Sequence, residues 1–384
     1  MTIEIKRAYL EEIRWRYQKG TKSEKSKILD EFCLVCKYDR KHAIKILNGN
    51  IQPRTKRPGP KSKYSDDDFL QALVDLWVQM NKICSKKMKA AFPKWLPHYN
   101  TSIKIMNLLG TISPSTIDRI LRPIRKPIIR GFSTTKPNLI KSRIPIKLID
   151  GEIKIPGYVE ADTVSHCGSN ASGEFISSLT ITDLYSGWTE NRAVWTKSAI
   201  NTKDKIEEIE KALPFALIGF ASDNGTEFIN EELYRYLKKR EAPVNMVKRR
   251  PYKKNDSAHV EQKNWTHVRE LLGYQRYDNK ELVGLMNEIY KAYWNPLQNY
   301  FTPVLKLKEK IRIGGRIKKK YDIPTTPCDR LLQSSYLPKE DAARLEREFS
   351  AKNPFTLKKL MNEKLKEFFK LADEYEKKRL ISQD

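Results

Sequence analysis

The chain has 384 residues, of which 73 are lysine or arginine and 47 are aspartate or glutamate, giving a formal net charge of +26 at pH 7. This excess of basic residues favours a polyanionic partner, with nucleic acid ahead of an anionic membrane surface. The sequence has no run of about 18 apolar residues and its first residues are charged, so neither a membrane-spanning helix nor a signal peptide is indicated, and we expect a soluble intracellular protein.

The five cysteines are an odd number at scattered positions, which is not the pattern of a disulfide framework. Cys33 and Cys36 form a CxxC pair, but no second pair exists and only His42 lies nearby. Because a structural zinc ion needs a full tetrahedral ligand set, we interpret both cysteines as buried structural thiols.

The first predicted domain, residues 1–52, has a helical period that is broken by a sharp turn. The apolar faces are formed by Ile28, Leu29 and Phe32 before the turn and by Ala43, Ile44 and Leu47 after it. Asp39 and Gly49 are suited to cap the start and the end of the second helix. That helix would expose three cations, Arg40, Lys41 and Lys45. The pattern is typical of a helix-turn-helix, although a surface hairpin with a solvated basic face explains this segment equally well.

A basic linker is predicted next, over residues 53–64. Residues 53–63 include three prolines, five basic residues and no acid, a composition typical of an extended linker. Its charge suits contact with phosphates. The predicted contacts come from Arg54, Lys56 and Arg57.

A second helical DNA-binding domain is predicted over residues 65–144. Within it, Ser113 is suited to cap a helix and Pro114 to occupy its first position. The outer side of that helix would carry Arg119 and Arg122. Two candidate recognition helices in series, joined by a basic linker, favour DNA binding more strongly than either helix does.

From about residue 145 the pattern changes to short runs rich in β-branched and aromatic residues. The short links between the first three runs predict antiparallel strands. The expected elements are strands 157–164, 175–184 and 187–195, a helix 202–213, a strand 215–221, a helix capped by Asn230, a strand 244–248 and a helix from about Ser257. The order β-β-β-α-β-α-β-α predicts a mixed sheet with helices packed on it, over residues 145–300.

The C-terminal region, residues 301–384, returns to helix and positive charge. Residues 305–321 include eight basic residues and one acid, with Gly314 and Gly315 as a hinge or hairpin turn. We expect this segment to bind the DNA backbone, with a solvated basic face as the alternative. The last helix has an apolar stripe and would pack on the body of the protein or on another subunit.

Three acids in the predicted core are suited to metal binding. Asp162 lies in the middle of the first strand, where an ionised carboxylate is costly unless it is paired or metal-bound. Asp223 follows the fourth strand, and Glu261 lies early in the helix that would cover the strands. Carboxylates hold the hard cations that assist phosphodiester chemistry. We therefore predict that the three acids converge.

The same three blocks resemble the signature of DDE transposases and retroviral-type integrases. They are VEADTV around Asp162, SDNGTEF around Asp223 and AHVEQKN around Glu261, and 37 residues separate the last two acids. This interval is close to the one typical of that superfamily. The resemblance covers about residues 150–300.

The resemblance implies an RNase H-like α/β core with a mixed five-stranded sheet, preceded by all-α helix-turn-helix domains and followed by a basic C-terminal region. It implies that Asp162, Asp223 and Glu261 hold two Mg²⁺ or Mn²⁺ ions. It also implies cleavage of transposon ends in double-stranded DNA and attack of the freed 3′-hydroxyl on target DNA. Two DNA ends imply at least a homodimer. A bacterial insertion-sequence transposase would act in the cytoplasm, at the nucleoid, without a membrane partner.

One position departs from the retroviral pattern, which has a lysine four residues after its glutamate. Here that position is Trp265. The candidates for DNA contact near Glu261 are Tyr252, Lys253, Lys254, Lys263 and Arg269. Two other functions stay open: a non-catalytic DNA-binding regulator derived from a transposase, and an RNase H-like nuclease that only hydrolyses DNA.

Four further polar residues of the core are weaker candidates. His166 would lie behind the metals, and Glu160 would share a strand face with Asp162. Asp183 is expected to cap the turn that follows it, and Glu227 to contact DNA or a helix start. Isolated residues of these types are more often structural.

Overall fold

A computed structural model of the protein describes residues 2–49, 63–125, 153–222, 225–248, 262–313 and 316–381. The chain forms two compact units, Met1–Ser65 and Asp66–Asp384. The finer division into five regions stays a prediction. Eight predicted site residues lie outside the described residues: Asp223, Glu261, Arg54, Lys56, Arg57, Tyr252, Lys253 and Lys254. Among the residues with described positions, no helix combines the length and apolarity needed to cross a membrane.

The described part of the first unit contains three helices, α1 (Ile3–Lys19), α2 (Lys22–Cys36) and α3 (Arg40–Asn48). Asp39 caps α3 as predicted, because its Oδ1 accepts from the Lys41 N–H at 2.7 Å. Gly49 ends the helix. The predicted apolar faces form the core except for Ile44, which is 38% exposed. Cys36 is buried and Cys33 half-buried, both as free thiols.

The second unit begins with four helices. They are α4 (Asp67–Gln79), α5 (Ser85–Trp95), α6 (Ile103–Thr111) and α7 (Pro114–Leu121). Ser113 caps α7 as predicted, with its Oγ accepting from the Thr116 N–H at 3.2 Å. Trp95 joins these helices to the rest of the unit, because its indole N–H donates to the Phe301 carbonyl at 3.1 Å.

The core of the second unit is a five-stranded sheet. Its strands are β1 (Tyr158–Ser165), β2 (Ile176–Asp183), β3 (Thr189–Trp195), β4 (Gly219–Ser222) and β5 (Asn245–Lys248). The order is β3-β2-β1-β4-β5, with β1, β2 and β3 antiparallel and β1, β4 and β5 parallel. This mixed sheet with flanking helices has the RNase H-like fold, which confirms the predicted fold class.

Helices cover both faces of the sheet. One face is apolar: Val159 and Ile181 meet Ile206 and Ile209 of α8 (Ala199–Ala212). α9 (Glu231–Lys238) lies between β4 and β5 in sequence. Two helices with π-helical turns follow the sheet: α10 (Asn264–Arg269, then α-helical Glu270–Leu272) and α11 (Leu282–Glu288, then π-helical Ile289–Trp294 and Leu297–Phe301). Alternation along β1 directs Asp162 to the face opposite Val159.

The C-terminal region is a hairpin followed by three helices. The hairpin strands are β6 (Leu307–Ile313) and β7 (Arg316–Tyr321), and the helices are α12 (Pro327–Leu332), α13 (Lys339–Ser350) and α14 (Pro354–Ile381). The long α14 packs on the body of the same chain, with the Phe368 ring 5.0 Å from the Tyr277 ring. Of the two arrangements open for the last helix, the structure therefore has packing on the body.

Candidate active site

Asp162 lies in the middle of the central strand β1, with a half-buried side chain. Its Oδ1 accepts from the Thr163 backbone N–H at 2.8 Å. Its Oδ2 accepts from the side-chain amide of Asn264 at 2.7 Å, across 102 residues of sequence. This bond joins the central strand to the start of α10.

The side-chain amide of Asn264 has an oxygen, Oδ1, in addition to the nitrogen that donates to Asp162. Because an ionised Asp162 only accepts hydrogen bonds, the Asn264 Nδ2 faces it and Oδ1 faces away. That Oδ1 is buried, and no atom of the described residues donates to it. Carboxylate and amide oxygens are ligands that Mg²⁺ and Mn²⁺ prefer. Asp162 and Asn264 therefore fit part of a divalent-cation site, although no cluster of three metal-ligating side chains occurs in the described ranges.

A row of polar side chains continues across the sheet from Asp162. Asp162 pairs with Thr180 on β2, which pairs with Asn191 on β3. The Asn191 amide donates to the Thr180 hydroxyl at 2.9 Å. The Asn191 Oδ1 lies 3.3 Å from Nδ1 of His267, three positions after Asn264 on α10. The helix is thus attached to the sheet at two points.

Sequence reasoning did not assign this row a role. The available signal is the alternation of Ser178, Thr180 and Thr182 in a strand whose residues are all buried. Buried polar side chains need partners, so such a strand predicts a polar layer beneath the covering helix. The identity of the partners does not follow from that signal.

Lys263, a predicted DNA contact, lies half-buried with its Nζ 3.3 Å from Nε2 of His267. Burial, together with the charge of Lys87 on α5, lowers the pKa of Lys263 to about 7. Burial and the same two lysines lower the pKa of His267. The Lys263 ammonium therefore lies against His267 of its own helix, and its contact with DNA stays a prediction.

Arg269, the other candidate on α10, binds backbone. Its guanidinium donates to the Ser165 carbonyl at 3.0 Å and to the Gly273 carbonyl at 3.3 Å, and it lies 4.6 Å from the centre of the Tyr274 ring. These contacts hold the end of α10 against the end of β1. Trp265, at the position of the retroviral lysine, is 50% exposed.

The predicted contacts on the recognition helices are at the surface. Arg40, Lys41 and Lys45 are exposed on α3, and Arg40 pairs with Asp30. Arg119 and Arg122 are exposed at the end of α7. Exposure of this kind is required of DNA contacts, and their role stays a prediction.

Among the weaker candidates, Asp183 caps its turn as expected. It accepts from the Ser186 N–H and hydroxyl, both at 2.6 Å, and from the Gly157 N–H at 2.9 Å. Glu227 accepts from the Thr163 hydroxyl at 2.9 Å and lies 3.5 Å from the Lys197 ammonium. Thr163 alternates with Asp162 along β1, so this pair lies on the opposite face of the sheet.

His166 is fully buried between the sheet and α11. Its Nε2 lies 2.8 Å from the Ser178 hydroxyl, which lies 2.8 Å from the Tyr290 hydroxyl. Nδ1 has no partner among the described residues. Burial, with a smaller contribution from the charge of Arg269, lowers the pKa of His166 to about 3. The residue is a neutral part of the core.

Neutral burial of His166 predicts a pH-dependent stability. The unfolded chain binds a proton near pH 6.5 and the folded chain only near pH 3, so the stabilising contribution is present above 6.5 and decreases as the pH falls towards 3. Between pH 7 and pH 5 the loss is about 2 kcal/mol. Urea unfolding of wild type and His166→Gln at both pH values measures it: the stability difference between them should shrink by that amount. An unchanged difference would contradict a neutral buried imidazole.

No protein-family model matches the chain. A curated protein described as uncharacterized protein y4rM, from Sinorhizobium fredii, is 34% identical over 334 residues, covering 84% of this chain and 93% of that protein.

Three solved structures show weak similarity. The BIV integrase catalytic core domain has a TM-score of 0.24 and 16% identity, covering 31% of this chain and 70% of that chain. The HTLV-2 integrase catalytic core domain in complex with magnesium (dimeric form) has a TM-score of 0.29 and 17% identity, covering 39% and 91%. A chain of the simian T-cell lymphotropic virus intasome in complex with PP2A regulatory subunit B56 gamma has a TM-score of 0.30 and 16% identity, covering 45% and 56%.

Proposed function

This chain belongs to the same family as the uncharacterized protein y4rM of Sinorhizobium fredii, and we propose that it is a DDE-type transposase or integrase. In this proposal it binds the ends of a DNA element, cuts them and joins them to target DNA. Its catalytic carboxylates are Asp162, Asp223 and Glu261.

The hydrogen bond between Asp162 and Asn264, at 2.7 Å, carries the proposal. It connects the middle of the central strand to the start of α10, the helix to which the sequence analysis assigned the third acid. Glu261 precedes Asn264 by three positions, and residues three apart share one side of a helix. Helical spacing therefore favours a Glu261 side chain directed towards Asp162.

The register of the parallel strands supports the assignment of Asp223 as the second catalytic acid. Ala161 of β1 pairs with Ser222 of β4, the last described residue before Asp223. Asp162 and Asp223 are the next residues in sequence after this pair. Parallel strands that continued this register would bring the two carboxylates side by side.

The proposed chemistry is two in-line displacements at phosphorus. Two bound Mg²⁺ or Mn²⁺ ions would activate the attacking oxygen and stabilise the leaving oxygen. Water attacks first, breaking the bond from phosphorus to the 3′-oxygen and freeing a 3′-hydroxyl. That hydroxyl then attacks a phosphorus atom of the target DNA: a new bond from its 3′-oxygen to phosphorus forms while the bond from that phosphorus to the target strand's own 3′-oxygen breaks. No covalent intermediate with the protein forms. Asn264 would orient the Asp162 carboxylate and exclude water from its Oδ2.

DNA as the partner is supported by the net charge of +26 and by the exposed arginines at the end of α7. Because a transposition event uses two element ends, we propose at least a homodimer on DNA. A bacterial protein with this activity would work at the nucleoid.

Incubation with Mg²⁺ and a labelled duplex tests the proposal. The duplex should carry the terminal inverted repeats found in the DNA flanking the gene. Joined products with a new strand linkage are the expected result. Cutting without joining would favour the nuclease, and binding without cutting the regulator. Reactions with EDTA control for metal dependence.

Asn264→Ala should lower the rates of cutting and joining by about 10- to 100-fold, the usual effect of removing a group that orients a metal ligand. The Mg²⁺ concentration for half-maximal activity should rise as well, because Asp162 loses the bond that orients it. Titration of both rates with Mg²⁺ measures the two effects. Thr266→Ala is the matched control, since among the described residues the Thr266 hydroxyl donates only to the Gln262 carbonyl of its own helix, at 3.1 Å. A wild-type Mg²⁺ titration for Asn264→Ala would remove Asn264 from the site.

A further inference from the structure

The hairpin of β6 and β7 forms a sheet of its own, separate from the five-stranded sheet. We call the two strands, residues 307–313 and 316–321, the basic ribbon. Ile313 pairs with Arg316, Arg312 with Ile317, and Ile311 with Lys318. Every described side chain of the ribbon is exposed. A strand of seven residues extends about 23 Å, so the ribbon is a projecting arm.

The base of the ribbon is firmly held. The Asp322 carboxylate accepts from the Lys306 backbone N–H at 2.7 Å and pairs with Arg330 at 2.7 Å. Just outside these residues, Val304 and Thr325 form an antiparallel bridge. The Lys306 ammonium also donates to the Tyr185 carbonyl, in the turn between β2 and β3. The arm therefore has a fixed direction relative to the core.

The charge of the ribbon is high and is found on both of its faces. Residues 307–321 include seven basic residues and one acid, Glu309, which lies 3.7 Å from Lys320. Cross-strand partners share a face and neighbours along a strand alternate. One face carries Ile311, Ile313, Lys318 and Lys320, and the other carries Arg312, Ile317 and Lys319.

We propose that the basic ribbon enters the major groove of duplex DNA and holds the DNA that the core acts on. The proposal rests on the proposed function for the choice of DNA as the polymer. The major groove is about 12 Å wide and admits a two-stranded β-ribbon. Phosphates line both walls of that groove, which matches cations on both faces. The isoleucines between the cations suit contact with thymine methyl groups.

The distribution of charge argues against two other polyanions. A membrane-bound element needs one apolar face and one charged face, whereas both faces of the ribbon are mixed. Duplex RNA has a deep, narrow major groove that side chains cannot read. The wide groove of B-form DNA is the partner that fits a ribbon of this shape.

The test uses the full chain and a labelled DNA duplex without divalent cations, so that binding is measured without cleavage. The variant Lys318→Gln/Lys319→Gln/Lys320→Gln should bind about tenfold more weakly or worse near 0.1 M salt. The slope of log K against log salt should become shallower by about 0.9 for each phosphate that the variant no longer neutralises. The matched control, Lys359→Gln/Lys366→Gln/Lys370→Gln, removes the same charge from exposed positions of α14. It should leave the slope near that of wild type.

Groove entry has a separate readout. A duplex whose cytosines carry glucosylated 5-hydroxymethyl groups has a blocked major groove, and wild type should bind it more weakly than unmodified DNA. The ribbon variant should show a smaller difference in affinity between the two duplexes than wild type, because it retains the predicted recognition helices but lacks the lysines of the ribbon. Equal wild-type affinity for the two duplexes would overturn groove entry, as would equal affinity for duplex RNA or for vesicles rich in phosphatidylserine.

The two proposals fail in distinguishable ways. If wild type cuts and joins DNA but the ribbon variant binds like the α14 control, the proposed role of the ribbon is wrong and the transposase proposal stands. If the ribbon variant loses DNA affinity but wild type cuts nothing in Mg²⁺, the DNA-binding role of the ribbon is supported and the catalytic proposal is wrong. The melting temperature of each variant should match wild type, because the substituted side chains are exposed.

Discussion

Asp162→Asn should abolish Mg²⁺-dependent cutting and joining, with a rate loss of about 10³-fold or more. The amide has the shape of the carboxylate but not its negative charge, so it holds a divalent cation much more weakly. The folded structure should tolerate the change. An amide at 162 can accept from the Thr163 N–H, and Asn264 can turn its own amide to remain bonded.

Single-turnover assays on labelled element ends, with binding measured separately, test this expectation. DNA affinity and melting temperature should stay near wild type while product disappears. Asp204→Asn is the matched control, because Asp204 is an exposed acid of α8 that pairs only with Lys203 among the described residues, at 2.8 Å. Joining at the wild-type rate by Asp162→Asn would show that the catalytic assignment is wrong.

Trp95→Ala should lower the free energy of unfolding by about 3–5 kcal/mol. The indole is 1% exposed, lies edge-on to the Phe355 ring at 5.1 Å and donates to the Phe301 carbonyl at 3.1 Å. Its removal leaves a cavity between α5 and α14 and leaves the carbonyl without its donor. The cost is large because helices distant in sequence meet at this side chain.

Thermal and urea unfolding of the full chain measure the effect of Trp95→Ala. Trp15→Ala is a suitable control, because the Trp15 indole is 64% exposed on α1 and exposed substitutions usually change stability by less than about 0.5 kcal/mol. Similar melting temperatures for the two variants would show that α4 to α7 do not depend on this contact.

Local signals in the sequence were sufficient to predict where helices α3 and α7 start and where the first three strands lie. Asp39, Ser113 and Pro114 mark helix starts because a cap or a fixed φ angle acts within one turn. Runs rich in β-branched and aromatic residues located β1, β2 and β3, and the short links between them predicted antiparallel pairing. The resemblance around Asp162 then named the fold that the strand order confirms.

Contacts between distant segments did not follow from these signals. Helical spacing puts Asn264 on the side of its helix that faces the sheet, but its bond to Asp162 depends on how α10 lies across the strands. The pairing of Asn191 with His267 is of the same kind. Periodicity reports which side of an element is apolar, and it does not specify which polar side chain will meet which.

Lys263 and the basic ribbon are both positively charged in the sequence, but the fold leaves the first half-buried and the second exposed. The sequence by itself determines the positive charge of both segments. It also determines the order of the helices and strands. The fold turns Lys263 inward against His267, whereas it exposes the strands 307–313 and 316–321 with cations on both faces. The exposure of a charge depends on every segment that packs around it, and so its role emerges only when the chain has folded.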